Sequence, residues 1–94
     1  MTAYFVAFGT VKNRDKLTEY IERSTPSVVQ HGGKYIGVGE QTVVLLGYHP
    51  HPRTALFTFP DSAACRAWFD SAQYQTLEGL REEAGDFVFI VLDV

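Results

Sequence analysis

Asp86-Phe87-Val88-Phe89-Ile90-Val91-Leu92-Asp93 places six apolar residues in a row between two acids. Side chains alternate faces along a strand, so a sheet with one wet face alternates apolar and polar residues. This segment does not alternate. Tyr4-Phe5-Val6-Ala7-Phe8, Val43-Val44-Leu45-Leu46 and Ala55-Leu56-Phe57-Thr58-Phe59 read the same way. Neither face of the sheet reads as wet, so both need a cover.

The chain of 94 residues is long enough for one domain with a modest core. Its residues are 46% apolar and 14% aromatic, more than so small a volume hides easily. That surplus points to association with another surface. The net charge of −3 comes without a basic run, which argues against a nucleic-acid surface. The single cysteine, Cys65, excludes an internal disulfide and fits a reducing cytoplasm. Met1-Thr2-Ala3-Tyr4 enters a strand directly, so no secretory leader is expected. No apolar run approaches the ~20 residues of a membrane span.

Working back from the last strand, Ala3 to Val11 reads as the first strand. Asn13 is a plausible helix cap, and Asp15 suits the first turn. Leu17, Tyr20, Ile21, Val28 and Val29 lie mainly along one helical stripe, with Ser24 filling its gap. Pro26 interrupts this helix and predicts a kink or two pieces. Gly32-Gly33 predicts its end. Lys34 to Val38 reads as a second strand, Gly39-Glu40-Gln41 as a turn, and Thr42 to Leu46 as a strand segment that continues or pairs with it. A loop with two prolines follows, then a third strand from Arg53 to Phe59. Asp61 or Ser62 caps the next helix, which Ser71 can break and recap. Tyr74, Leu77 and Leu80 continue its apolar stripe.

The order is β-α-β-β-α-β. This predicts an α+β, ferredoxin-like domain over residues 1–94, with a four-stranded antiparallel sheet. Right-handed crossovers put both helices on one face. The simplest cover for the other face is a second copy, giving a homodimer.

Tyr20, Pro26 and His31-Gly32-Gly33-Lys34-Tyr35 now line up with Phe59-Pro60-Asp61-Ser62, Trp68-Phe69-Asp70-Ser71, Gln73-Tyr74-Gln75, Leu77 and Arg81. Together they resemble the small bacterial family called domain of unknown function 1330. The resemblance spans nearly the whole chain. It implies a dimeric α/β barrel, in which two ferredoxin-like subunits pack sheet to sheet. It implies no reaction, since related barrels include cofactor-free monooxygenases, lactone isomerases, haem enzymes and stress-response proteins. The loop Tyr48-His49-Pro50-His51-Pro52-Arg53 departs from the family, where an acidic residue and a tryptophan are usual near its start.

His31 is the candidate catalytic residue, as a proton-transfer group if it lines a pocket; the plainer reading is a capping role beside Gly32-Gly33. Tyr20, Tyr35, Trp68 and Tyr74 form an aromatic set with polar tips that fits core packing or a small aromatic ligand. Arg53 opens the third strand and could meet an anionic ligand, although an ordinary ion pair is the commoner fate. Arg81 invites the same reading, with Glu78, Asp86 or a second subunit as its partner. His49 and His51 share a side of an extended segment. With His31 they would make a three-histidine zinc site, but a solvated loop is the expectation and no metal is assigned. Cys65 reads as a buried, inert thiol. No glycine-rich phosphate loop opens a helix, and no cofactor is expected. Three functions remain open: a binder of a small organic ligand, a cofactor-free isomerase or monooxygenase using His31, and a structural dimer.

Overall fold

A computed structural model describes residues 2–94. Strand β1 (Ala3–Val11) leads to helix α1 (Arg14–Gln30), then strands β2 (Lys34–Glu40) and β3 (Arg53–Phe59). Helices α2 (Ser62–Asp70), α3 (Ala72–Gln75) and α4 (Glu78–Ala84) precede strand β4 (Gly85–Asp93). The sheet order is β2-β3-β1-β4, and every neighbouring pair is antiparallel. This is the ferredoxin-like arrangement expected from the sequence.

Local chemistry sets the element ends. Asn13 caps α1 by accepting from the Lys16 N–H at 3.1 Å. Asp61 caps α2 by accepting from the Ala64 N–H at 2.7 Å. Ser71 ends α2 and caps α3, accepting from the Tyr74 N–H at 3.2 Å. At the other end of α1, the Gly33 N–H reaches the Val28 carbonyl and the Gly32 N–H reaches the Val29 carbonyl. That double bond pattern is a Schellman turn, and Gly32 supplies its left-handed residue at φ 79°.

Helix α1 runs as one piece through Pro26, so the two-piece expectation is corrected. Glu22, whose carbonyl loses its partner to the proline, and Pro26 itself are both exposed. Water can satisfy that carbonyl without ending the helix. The buried stripe is also displaced: Ser24, Ser27 and Val28 are buried, while Ile21 and Val29 are exposed.

A bulge between Tyr35 and Gly37 inserts one extra residue into β2. Tyr35 sits opposite Phe57 and Val38 opposite Ala55, so an odd and an even position share one face. That face carries the core: Phe5, Phe59, Trp68, Tyr74 and Leu77 are buried between sheet and helices. Trp68 lies 5.1 Å from Phe5 and 4.3 Å from Tyr74, ring centre to ring centre.

The opposite face is apolar and open. Leu56, Val6 and Ile90 form a row across three strands, flanked by Tyr4 with Leu92 and Phe8 with Val88. Tyr4, Leu56, Ile90, Val88 and Leu92 keep 37–49% of their surface exposed. The 41–52 loop closes over one end of this face. The His49 ring stacks edgewise on Phe8 at 4.7 Å, and His51 Nδ1 shares a 2.9 Å hydrogen bond with Thr10 Oγ1.

Two expectations fail in that loop. Gly39 and Glu40 belong to β2, with Glu40 opposite Arg53, and do not form a turn. Val43-Val44-Leu45-Leu46 is not a strand; Leu45 and Leu46 are 92% and 95% exposed. The Gln41 N–H bonds the Pro52 carbonyl and pinches the loop shut at its base. Pro50 and Pro52 offer no N–H, so the returning limb lacks donors for a ladder.

Candidate functional site

A cavity of about 380 Å³ lies between α1 and the helix-facing side of the sheet. Its floor carries Phe5, Phe57, Phe87 and Phe89, and α1 contributes Tyr20, Ile21, Ser24 and Val28. The space follows from small residues. Ala7 and Ala55 are cross-strand partners in the floor, and Ser24 replaces an apolar residue in the buried stripe of α1. Gly33, where a Cβ would meet Val28 and the Phe59 ring, brings the end of α1 close to the sheet. The bulge in β2 adds both Tyr35 and Val38 to the lining.

Of the residues singled out in the sequence, Tyr20, Tyr35, Arg53 and Trp68 come together on this cavity. Tyr74 stands outside the lining and supports it. Its hydroxyl bonds the Tyr20 hydroxyl at 2.5 Å and accepts from Arg81 Nη1 at 3.1 Å. Arginine only donates, so the Tyr74 oxygen accepts from it and keeps its own proton free for the bond with Tyr20. Burial, and then the neighbouring Tyr74, push the Tyr20 phenol far above the ordinary tyrosine range. The Tyr20 hydroxyl therefore acts as a neutral hydrogen-bonding group. Arg81 does not take the carboxylate partner foreseen for it. Its guanidinium lies 5.7–5.8 Å from the Phe69, Tyr74 and Phe89 ring centres.

Trp68 reaches the cavity from α2. Its Nε1–H donates to Ser27 Oγ at 3.0 Å, and Ser27 Oγ–H donates to the Ser24 carbonyl at 2.6 Å. One buried hydroxyl thus fixes the indole against α1.

His31 lies outside the cavity lining. It is the C-cap of α1, and its Nδ1–H donates to the Ser27 carbonyl at 2.9 Å. That contact satisfies a free helix-end carbonyl. His49 and His51 belong to the loop on the opposite sheet face. His49 Nδ1–H donates to the His51 carbonyl at 3.0 Å. Among the described residues, no group of three His, Cys, Asp or Glu side chains is placed to hold a metal. Cys65 is buried, and burial pushes its thiol up to about 11. It is therefore protonated near neutral pH and a poor nucleophile.

Sequence reasoning passed over Phe5, Phe57, Phe87 and Phe89 as site residues. Their signal was the doubly apolar strand itself, which does not distinguish a cavity wall from a filled core. The Tyr20–Tyr74–Arg81 chain had no sequence signal, because its members are 54 and 7 residues apart.

An antiparallel β2-β3-β1-β4 sheet with helices on one side defines a ferredoxin-like α+β protein, here with a cavity under its first helix. The chain belongs to the family described as domain of unknown function (DUF1330), whose model matches residues 2–94. It is similar in structure to a protein of unknown function from Rhodopseudomonas palustris, with TM-score 0.81 and 18% identity over 99% of this chain and 82% of that one. It is also similar to SnoaB, a cofactor-independent oxygenase from Streptomyces nogalater: TM-score 0.71, 10% identity, 99% and 92% coverage. A third likeness is a dimeric ferredoxin-like protein of unknown function from Thermobifida fusca: TM-score 0.67, 13% identity, 100% and 92% coverage. At these identities the likeness shows the fold. No curated protein matches the chain.

Proposed function

We propose that this protein binds a small organic ligand in the cavity under α1, as a homodimer joined through the open sheet face. The cavity is the observation that carries the reading. Its ~380 Å³ falls at the low end of the range for small-molecule sites. Its wall is mostly aromatic and aliphatic, with a few polar groups from Tyr20, Tyr35 and Arg53. That mixture suits a compact, partly aromatic molecule. The dimer rests on exposed Leu56, Ile90, Val88 and Leu92 around buried Val6, an apolar face that is costly to leave in water.

The alternative is cofactor-free isomerase or monooxygenase chemistry with His31 moving a proton. The likeness to SnoaB keeps that class in view, but His31 caps a helix end outside the lining. Binding without chemistry is therefore the favoured reading. A reducing cytoplasmic setting fits the lone, buried Cys65.

Trp68 is the only tryptophan and lines the cavity, so its fluorescence reports occupancy. Titration with small aromatic compounds is expected to change its emission saturably. Emission unmoved by every such compound at millimolar concentration would sink the ligand reading.

A further inference from the structure

We infer that the ligand is an anion: a flat apolar body carrying a carboxylate or similar acidic group, held by Arg53. This deepens the binding reading above and rests on it. Most polar groups on the wall already have partners within the protein. Ser24 Oγ and Thr25 Oγ1 both donate to the Ile21 carbonyl, at 3.4 and 2.7 Å. Tyr20 is engaged with Tyr74, while the Tyr35 hydroxyl is unengaged and belongs to a residue that is 62% exposed. Among the described residues no carboxylate lines the cavity, and Arg53 is the one charged residue that does, with neither a salt bridge nor a side-chain hydrogen bond. Glu40 stands directly opposite Arg53 across β2 and β3, yet the two make no ion pair.

The molecule carries a net charge of −3, while the one charge on this wall is the Arg53 guanidinium, which makes no direct ion pair. A guanidinium stays charged at all ordinary pH values and presents a planar fork that matches a carboxylate. Beside an apolar wall its field is poorly screened, so a charge-assisted hydrogen bond there is strong. Flat rings from Phe57, Phe87 and Phe89 favour a planar body over a branched one. Cationic ligands are disfavoured by the same charge.

The test is calorimetric titration with three compounds of one shape: 2-naphthoate, neutral 2-naphthamide and cationic 2-naphthylmethylamine. The wild-type protein is expected to bind naphthoate at least tenfold more tightly than the amide, and the amine most weakly. Arg53→Leu should weaken naphthoate about tenfold or more and leave the amide within twofold. Arg53→Lys should recover part of the loss. Equal wild-type affinity for naphthoate and the amide, with no effect of either variant, overturns the anion and leaves the cavity reading standing. No binding of any of the three at millimolar concentration overturns both. The wild-type preference needs no variant, so it decides the matter even if Arg53→Leu misfolds.

Discussion

The indole N–H of Trp68 in α2 donates to the hydroxyl of Ser27 in α1, with both side chains buried. Among the described residues it is the one side-chain hydrogen bond between those two helices, and it lies beside the cavity. Ser27→Ala leaves the indole N–H without its acceptor in an apolar site. The expected loss is about 1–3 kcal/mol, read as a lower Tm in a thermal melt. Trp68→Phe removes the donor as well, so the double variant should lose less than the sum of the two singles. Strict additivity would show that the bond contributes nothing.

Tyr74→Phe should destabilise for a related reason. It strips Arg81 of its acceptor and Tyr20 of its partner at once. A loss of roughly 1–3 kcal/mol in denaturant unfolding is expected. Arg81→Met keeps much of the apolar contact with the rings and should cost less.

Alkaline pH should weaken the fold in a way that Cys65 partly governs. The unfolded thiol titrates near 9.0, while the buried thiol is raised to about 11. Between these values the unfolded chain has lost a proton that the folded chain keeps. The contribution is full below pH 9 and declines as pH rises through about 11. Tyr20, also raised, extends the decline above the ordinary tyrosine range. Unfolding free energy measured from pH 8 to 11 should fall less steeply in Cys65→Ala than in wild type; identical slopes would refute the assignment.

The open sheet face predicts a dimer that one charge can break. Sedimentation should show a dimer for the wild type. Leu56→Arg or Ile90→Arg, the exposed residues at the two ends of the row, should give a folded monomer. A wild-type monomer at micromolar concentration would remove the case for sheet-to-sheet assembly.

Gly33→Ala tests the join between α1 and the sheet. The new methyl group meets Val28 Cγ1 and the Phe59 ring. Both are buried, so neither can swing aside cheaply. A loss of about 1–3 kcal/mol in chemical denaturation is expected.

Much of the fold was legible because its signals are local. Asn13, Asp61 and Ser71 announced their caps, and β1 and β3 ended where apolar runs met Lys12 and Pro60. Pro26 misled because its effect depends on which way the freed carbonyl faces, and that depends on tertiary burial. Val43 to Leu46 misled more deeply. Its composition is that of a strand, but a strand exists only when an edge lies beside it. At the site, Tyr20, Tyr35, Arg53 and Trp68 stood out as polar-tipped or charged residues in apolar surroundings. The phenylalanines that make most of the floor carried no such mark. Whether they fill a core or border a space depends on Ala7, Ala55 and Ser24 being small.

The bulge in β2 has a second effect, on how copies of the chain meet. It lies in an edge strand, whose outer backbone groups would otherwise invite lengthwise pairing with another molecule. The extra residue breaks the regular spacing of those groups, and exposed Lys34 and Glu40 place charge at either end of the strand. Growth into an endless ribbon is thereby discouraged along the β2 edge. The same irregularity that brings Tyr35 and Val38 to the cavity thus works against open-ended pairing along this edge.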